Sequence, residues 1–190
     1  DDLKQVKQVG EYSNTFSFSE SKQASINIIL LESQPCLNVS LIDTVIKTHL
    51  VGVYNFHNIA AALAVGCYFK LTTKQLKIGI EDYVSVNNRS QIVKQNSNQI
   101  LLDAYNANPS SMGVALENFK RIQNSNKIAI LGDMFELGAT SAKEHLEIIN
   151  QAILTKGCIF YFIGSHFFEQ KTSHSNFLFF ETFEDLKSHL

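Results

Sequence analysis

Tryptophan is absent from these 190 residues, and proline and cysteine are scarce. With only two prolines and nine glycines, the chain has few positions that force a helix or strand to end, which indicates long elements and short loops. The three cysteines, Cys36, Cys67 and Cys158, are odd in number and widely spaced. This spacing argues against both a disulfide framework and a zinc site, and we expect three small apolar side chains in a reducing compartment.

Charge of one sign and long apolar runs are also missing. Sixteen basic against eighteen acidic residues leave a formal charge of -2, so no nucleic-acid partner is expected. No apolar run approaches the roughly 18 to 20 residues of a membrane span, and the first residues lack the pattern of a signal peptide. We therefore expect a cytoplasmic protein, whose 45% apolar content is enough for a buried core.

The first half of the chain has β-type patterning followed by helical patterning. Residues 1–51 show period-two alternation, which predicts strands near residues 15–19, 25–31 and 37–42. An alanine-rich helix follows as far as Phe69, with Asn55 or a neighbouring residue as its expected N-cap, and a second helix runs from Thr72 or Thr73 to about Tyr83.

The second half alternates strands and helices. We expect strands at 91–94, 99–104, 127–131, 158–163 and 177–180, and helices at 109–123, 141–154 and 183–190. Repeated β-α-β units predict an α/β fold: a Rossmann-like, mostly parallel sheet with helices on both faces, containing Leu101, Ile130, Ile159 and Phe179. We place the domains at residues 1–87 and 88–190. The aromatic residues of 160–168 are expected in the core.

Two polar loops follow strands of this sheet. They are residues 103–109, Asp-Ala-Tyr-Asn-Ala-Asn-Pro, and residues 132–138, Gly-Asp-Met-Phe-Glu-Leu-Gly. Ligands of such sheets bind at the carboxyl ends of the strands, which favours a site here. The same residue types are also common in turns and helix caps, so both interpretations stay open at this point.

Four sequence blocks together resemble the Mur ligase family. Besides the two loops they are Gly-Val-Tyr-Asn-Phe-His-Asn-Ile-Ala-Ala-Ala at 52–62 and Asn-Arg-Ser at 88–90. The blocks have the family's order and spacing over residues 52–145. The Tyr-Asn-Ala-Asn-Pro run is similar to the member that adds D-alanyl-D-alanine, rather than to members that add earlier amino acids.

The resemblance implies a fold and a reaction. Residues 1–87 would be the tail of the central ATP-binding domain, and residues 88–190 an incomplete C-terminal domain. In the family reaction, ATP phosphorylates the carboxylate of UDP-N-acetylmuramoyl tripeptide, and D-alanyl-D-alanine attacks the acyl phosphate in peptidoglycan precursor synthesis. ATP and Mg²⁺ are the implied cofactors, and domain closure excludes water.

The chain departs from the family in one respect that matters. It contains no Gly-Lys-Thr or Gly-Lys-Ser, the phosphate loop that cradles ATP. The family's metal-binding residues would also precede residue 1, so we assign no metal ligand to this chain. We expect a C-terminal fragment that by itself neither hydrolyses ATP nor ligates.

The resemblance also assigns residues. It implies that Asn55 and Asn58 contact adenine, and that Arg89 and Asp103 are catalytic and nucleotide-binding, Arg89 at the phosphates and Asp103 through the ribose or an arginine. Each assignment has a structural alternative. Asn55 and Asn58 would cap the helix, Arg89 would be a solvated linker arginine, and Asp103 would cap the helix region near Pro109.

Substrate-binding residues come from the two loops and the helix that follows them: Tyr105, Asn106, Asn108 and His145. A structural role for His145 is the open alternative, and ordering of the loop is the expected role of Asp133 and Glu136. Two other functions also stay open. One is a related amide ligase of the folylpolyglutamate or cyanophycin type, and the other is a stand-alone nucleotide-binding or regulatory module.

Overall fold

The computed structural model describes residues 3–12, 14–21, 23–124 and 126–190. The chain forms two compact units, Asp1–Leu102 and Asp103–Leu190. Because the hairpin of residues 91–102 groups with the first unit, this division falls later than residue 87. The domain boundary at 87/88 stays a prediction.

The first unit packs two helices against a small sheet. Its elements are α1 (Leu3–Val9), β1 (Phe18–Ser19), β2 (Ile26–Glu32), β3 (Asn38–Leu41), β4 (Thr44–Lys47), α2 (Asn55–Tyr68), α3 (Thr73–Glu81), β5 (Gln91–Gln95) and β6 (Asn98–Leu102). The sheet order is β1-β2-β3-β4, with β1 parallel to β2 and the other pairs antiparallel. Its core joins Ile28, Val39 and Ile46 of the sheet to Ile59 and Leu63 of α2.

Three details of this unit differ from the sequence-based expectation. Leu3–Val9 is a helix, although residues 1–51 were expected to be β throughout. The strand expected at residues 15–19 is reduced to Phe18–Ser19, and β4 lies in the region expected to be β but outside the three strands predicted there. Each of these elements has seven residues or fewer, and over such lengths apolar spacing does not separate helix from strand from turn.

Helix α2 follows from its alanines, but its start differs from the prediction. The N-cap position is Tyr54, whose backbone is already helical, and Asn55 is the first helical residue. Asn55 is not the N-cap, because it is already helical, and the Tyr54 side chain at the N-cap position makes no capping hydrogen bond. Helix α3 does begin with a capping box, in which Thr72 and Gln75 exchange hydrogen bonds.

The second unit is a three-stranded parallel sheet with helices. Its elements are α4 (Pro109–Arg121), β7 (Lys127–Gly132), a 3₁₀ turn (Gly138–Thr140), α5 (Ser141–Ile153), β8 (Cys158–Ile163), α6 (Ser165–Glu169), β9 (Phe177–Phe180) and α7 (Phe183–His189). The strand order is β7-β8-β9, and both pairs are parallel. The α/β fold class with a parallel sheet is confirmed.

The faces of this sheet carry different helices. Phe160 and Phe162 point to the face that packs against α4, α5 and α6, in a core that includes Met112, Ile149 and Phe167. Tyr161 alternates to the opposite face, where its ring meets His189 of α7. Helices on both faces are therefore confirmed, as are the core positions of Phe160, Phe162 and Phe167.

The strand that contains Leu101 was placed wrongly in the parallel sheet. It is β6, which pairs antiparallel with β5 in a two-stranded sheet. The connection between them is a two-residue turn with Asn96 in the left-handed region (φ 54°), and a turn this short joins only antiparallel neighbours.

Across the described ranges, no helix combines the length and apolarity that crossing a bilayer requires.

Candidate functional site

Asn55 and Asn58 lie one turn apart at the start of α2. The Asn55 amide Nδ2 donates to the Val51 carbonyl at 2.8 Å and to Ser90 Oγ at 3.2 Å. Its Oδ1 accepts from Asn58 Nδ2 at 3.1 Å. Asn55 is 8% exposed, whereas Asn58 faces solvent. The structure therefore brings the two predicted adenine residues together and gives them different environments.

Arg89 lies in the segment that connects α3 to β5. Its side chain is exposed, and its two neighbours Asn88 and Ser90 both have left-handed backbones, with φ of 57° and 52°. The Arg89 carbonyl accepts a 2.5 Å hydrogen bond from Ser85 Oγ. Arg89 and the Asn55–Asn58 pair thus belong to one unit and connect through Ser90, a residue that sequence reasoning did not select.

The loop after β6 contains Asp103, Tyr105, Asn106 and Asn108, all of them exposed. Tyr105 has 63% of its surface exposed, and Asn106 Oδ1 accepts the Ala107 N–H at 2.9 Å. Asn108 is the N-cap of α4: its Oδ1 accepts the Ser111 N–H at 2.9 Å, in a capping box followed by Pro109. The residue that caps the helix near Pro109 is therefore Asn108. The nucleotide and substrate roles of this loop stay predictions.

Asp133, in the loop after β7, points inward. Its side chain is 5% exposed, and its two carboxylate oxygens accept the backbone N–H groups of His166 and Phe167 at 3.0 Å each. Those N–H groups open α6, where a carboxylate satisfies otherwise unpaired donors. Glu136, in contrast, is exposed with φ of 64°. Asp133 orders the loop as expected, while Glu136 has no comparable buried contact among the described residues.

His145 of α5 is fully buried beneath this loop. Its Nδ1 lies 2.7 Å from the Ser141 carbonyl, which can only accept, so Nδ1 carries the proton. Nε2 then accepts the Met134 N–H at 3.1 Å and lies 3.6 Å from Asp133 Oδ1. Nε2 therefore supports the loop, whereas Nδ1 bonds within the first turn of α5, and contact between His145 and a substrate stays a prediction.

The cysteines show no sign of thiolate chemistry. Burial raises the pKa of Cys36, Cys67 and Cys158, which keeps all three thiols protonated near neutral pH. In the part of the chain that the structure describes, no three His, Cys, Asp or Glu side chains come close enough together to hold a metal ion.

The sequence analysis did not select Tyr54, Ser90 or Gly164, the last of which is the N-cap residue of α6. Ser90 Oγ bonds both Tyr54 Oη and Asn55, which precede it by 36 and 35 positions, and Asp133 reaches a helix that begins 32 positions later. Such pairs have no local signature, because side chains of this kind are ordinary turn residues in isolation. Only the fold brings these residues together.

Comparison with known proteins relates the second half of the chain to a protein family. Residues 88–174 match the family model described as Mur ligase, glutamate ligase domain. This part of the chain is similar to the Mur ligase family. This confirms the resemblance seen in the four sequence blocks, three of which, at 88–90, 103–109 and 132–138, lie wholly within the matched region.

Individual Mur ligases match more of the chain. The UDP-N-acetylmuramoyl-tripeptide–D-alanyl-D-alanine ligase of Rickettsia prowazekii is 28% identical over 191 residues, covering 93% of this chain and 41% of that protein. The Treponema pallidum enzyme of the same name is 35% identical over 122 residues, covering 64% of this chain and 26% of that protein. A crystal structure of MurF from Acinetobacter baumannii superposes with a TM-score of 0.77 at 25% identity, covering 92% of this chain and 39% of that one. The chain thus spans roughly a quarter to two fifths of the length of these relatives.

Proposed function

We propose that this chain is part of an ATP-dependent amide ligase that adds D-alanyl-D-alanine to UDP-N-acetylmuramoyl tripeptide. The observation that carries the proposal is the linked Asn58–Asn55–Ser90 side chains beside Arg89, in a chain whose curated relatives bear that enzyme's name. The reaction proceeds through an acyl phosphate. ATP and a UDP-linked precursor fit the cytoplasmic location expected from the sequence.

Asn58 is the residue of the pair best suited to contact adenine. It uses one amide hydrogen on Asn55, and its exposed side chain can offer the second hydrogen and Oδ1 to the donor and acceptor edge of the base. Asn55 has both amide hydrogens engaged within the protein, at Val51 and Ser90. Its role in nucleotide binding is therefore to orient Asn58, with only the second lone pair of Oδ1 left to offer a ligand.

Arg89 and Asp103 bind the nucleotide from exposed positions. An arginine fork matches phosphate oxygens in two parallel hydrogen bonds, so Arg89 stabilises the charge that moves during phosphoryl transfer. The Asp103 carboxylate accepts hydrogen bonds from ribose hydroxyls, or holds an arginine that does so. Neither residue acts as a general base in this scheme, because positioning and charge stabilisation supply most of the catalysis of phosphoryl transfer.

The incoming dipeptide meets the loop of residues 103–108. Tyr105 offers a largely exposed ring and hydroxyl, and Asn106 retains an exposed amide group. Asn108 acts by capping α4, which holds the end of this loop in place. His145 acts from below the second loop by fixing the Met134 backbone, and a direct contact with substrate would require its ring to leave these partners.

Mg²⁺ does not fit the residues present here. Within the described ranges, no three acidic, histidine or cysteine side chains come together, so the scheme assigns no metal ligand to this chain and no step passes through a metal that it holds. Carboxylate and water oxygens are the ligands that Mg²⁺ prefers, with phosphates of the substrate completing the shell. Metal binding in the proposed ligase would depend on residues outside this set.

The test is an assay of the complete product of the reading frame that encodes these residues. Incubated with ATP, Mg²⁺, UDP-N-acetylmuramoyl tripeptide and D-alanyl-D-alanine, it should form ADP and the UDP-linked pentapeptide, and omission of either acceptor or dipeptide should prevent this. Asn58→Ala should raise KM for ATP about ten-fold, the loss expected for one well-made hydrogen bond to a ligand in a desolvated site. Asn150→Ala, an exposed helical asparagine of α5, is the matched control.

Two results would redirect the proposal. ADP binding without formation of the pentapeptide would favour the nucleotide-binding or regulatory module. Turnover with a folate or cyanophycin-type acceptor in place of the UDP-linked tripeptide would favour a related amide ligase. Failure to bind any adenine nucleotide would contradict the proposed roles of Asn58 and Arg89 together.

A further inference from the structure

The backbone around Arg89 is held in an unusual conformation. Asn88 and Ser90 on either side of it have left-handed φ values of 57° and 52°, which residues with a side chain seldom adopt. Such conformations persist only where surrounding contacts determine them. Ser85 and Ser90 are both only 3% exposed, although Arg89 between them faces solvent. The segment is thus anchored at its two serines and presents Arg89 outward.

Side-chain hydrogen bonds on both sides of Arg89 hold this segment. Ser85 Oγ donates to the Arg89 carbonyl at 2.5 Å, and the Asn88 N–H donates to Gln91 Oε1 at 3.3 Å. Ser90 Oγ then bonds to both Tyr54 Oη and Asn55 Nδ2, at the start of α2. The first two contacts are local, whereas the hydrogen bonds of Ser90 Oγ connect the segment to the start of the helix.

The direction of the Asn55 bonds is fixed by chemistry. The Val51 carbonyl can only accept, so the atom 2.8 Å from it must be the Asn55 amide nitrogen. Its second hydrogen goes to Ser90, and Oδ1 must therefore face the Asn58 amide. A continuous series of hydrogen bonds runs from exposed Asn58 through Asn55 to Ser90.

We propose that Ser90 is a positioning residue which, with Tyr54 and Asn55, couples nucleotide contact at Asn58 to the backbone that presents Arg89. The nucleotide half of this statement rests on the proposed function; the mechanical coupling does not. A base that orders Asn58 orders Asn55 through their shared hydrogen bond, and Asn55 in turn holds Ser90. By linkage, fixing the Arg89 segment equally favours the binding-competent arrangement of Asn58.

Amide hydrogen exchange of the 190-residue chain without ligand tests the coupling. Ser90→Ala should accelerate exchange about five-fold or more both at Asn88 and at the Asn55 and Phe56 amides of the first helical turn, since both hydrogen bonds of Ser90 Oγ are lost. Tyr54→Phe removes only the phenolic hydroxyl and should produce the same pattern more weakly. It also provides a second test if Ser90→Ala fails to fold. Thr48→Val, which removes another buried hydroxyl of the same unit, is the control and should leave both segments unchanged.

Acceleration confined to one of the two segments would overturn the coupling. The second arm adds ADP to the complete product of the reading frame. Wild type should show slower exchange at both segments, whereas Ser90→Ala should still bind ADP but slow exchange only at the start of α2. Equal protection of the Arg89 segment in both proteins would show that Ser90 does not position it. Absence of ADP binding in wild type would contradict the proposed function and leave the ligand-free result to decide the coupling.

Kinetics separate positioning from a general loss of structure. In the ligase assay, Ser90→Ala should lower kcat about five-fold or more and change KM for ATP less than Asn58→Ala does, because the base contact survives while Arg89 is misplaced. A parallel loss in kcat and melting temperature, matched by Thr48→Val, would instead indicate a structural hydroxyl.

Discussion

The carboxyl group of Asp133 occupies the space that a side chain on Gly164 would fill. A Cβ built on Gly164 would collide with the carboxyl carbon and both oxygens of Asp133. The same carboxylate accepts the two N–H groups that open α6 immediately after Gly164. The absence of a side chain at position 164 is thus what lets the loop after β7 reach the end of β8.

Replacement of Gly164 by alanine should therefore destabilise the second unit strongly. Its φ of 120° is strained for any residue with a Cβ, at about 1–3 kcal/mol, and displacing Asp133 adds the cost of unpaired N–H groups. Gly157→Ala is the control, since it also has positive φ but has open space around it. In urea denaturation, Gly164→Ala should lose about 2 kcal/mol more than Gly157→Ala; equal losses would contradict the role of Asp133.

His145 should matter for stability through its ring nitrogens. His145→Phe keeps an aromatic ring in the core but leaves the Met134 N–H without its acceptor, at a cost of about 1–3 kcal/mol. His174→Phe, a partly exposed histidine of the same unit, should change stability by less than about 0.5 kcal/mol. Thermal melting compares the two. If His145→Phe has the melting temperature of wild type while ligase activity falls, the residue contacts substrate instead of holding the loop.

The fold was predictable where patterns were long. Alanine content predicts α2, Pro109 at a first helical turn predicts α4, and apolar strands separated by helices predict the parallel sheet. Short elements such as α6 were not predictable, because the five residues Ser165–Glu169 start on contacts to Asp133 from another loop. Their stability lies in tertiary contacts rather than in local preference.

The candidate site was predictable as a set of residues but not as an arrangement. The motif resemblance selects Asn55 and Asn58 equally, and only the structure distinguishes a buried amide with both hydrogens engaged from an exposed one. Ser90 reads as an ordinary linker serine, because its partners precede it by 35 and 36 positions. Local sequence patterns carry no information about pairs so far apart.

Glu81 provides a pH-dependent prediction for the first unit. Hydrogen bonds from the Lys47 N–H and the Lys77 ammonium hold its pKa below the usual value for a glutamate. A lowered folded-state pKa stabilises the protein above the unfolded pKa, near 4.3, and this contribution disappears as pH falls through the folded value. Glu81→Gln should therefore melt below wild type at pH 7, and the gap should close under acid conditions. Glu147→Gln, on the exposed face of α5, should show no such trend.

The 190-residue chain alone should not turn over ATP. It lacks the Gly-Lys-Thr or Gly-Lys-Ser of a phosphate loop, whose backbone N–H groups and lysine bind and polarise the phosphates. Phosphate release with ATP, Mg²⁺ and both amide substrates should equal the rate without protein. Turnover near about 1 per second or faster, which is ordinary for enzymes, would show that these residues build a phosphate site of their own.

Arg89→Ala and Asp103→Ala should each impair the proposed ligase without destabilising it. Both side chains are exposed, and exposed polar substitutions usually change stability by less than about 0.5 kcal/mol. A lost charge-assisted contact costs about 1.5–3 kcal/mol, which corresponds to a fall in kcat/KM for ATP of about ten-fold or more. Steady-state kinetics and thermal melting of both variants should be measured together in the complete product of the reading frame.

The two variants should also differ from each other. In the proposed scheme Arg89 stabilises the charge that moves during phosphoryl transfer, so its loss should appear mainly in kcat, whereas a ribose contact by Asp103 should appear mainly in KM for ATP. Arg89→Lys should recover little activity, because an ammonium cannot make the paired bonds of a guanidinium fork. Full activity in either alanine variant would remove that residue from the site. A fall in melting temperature proportional to the loss of activity would instead make Asp103 a loop-stabilising residue and Arg89 a brace for the segment that Ser90 anchors.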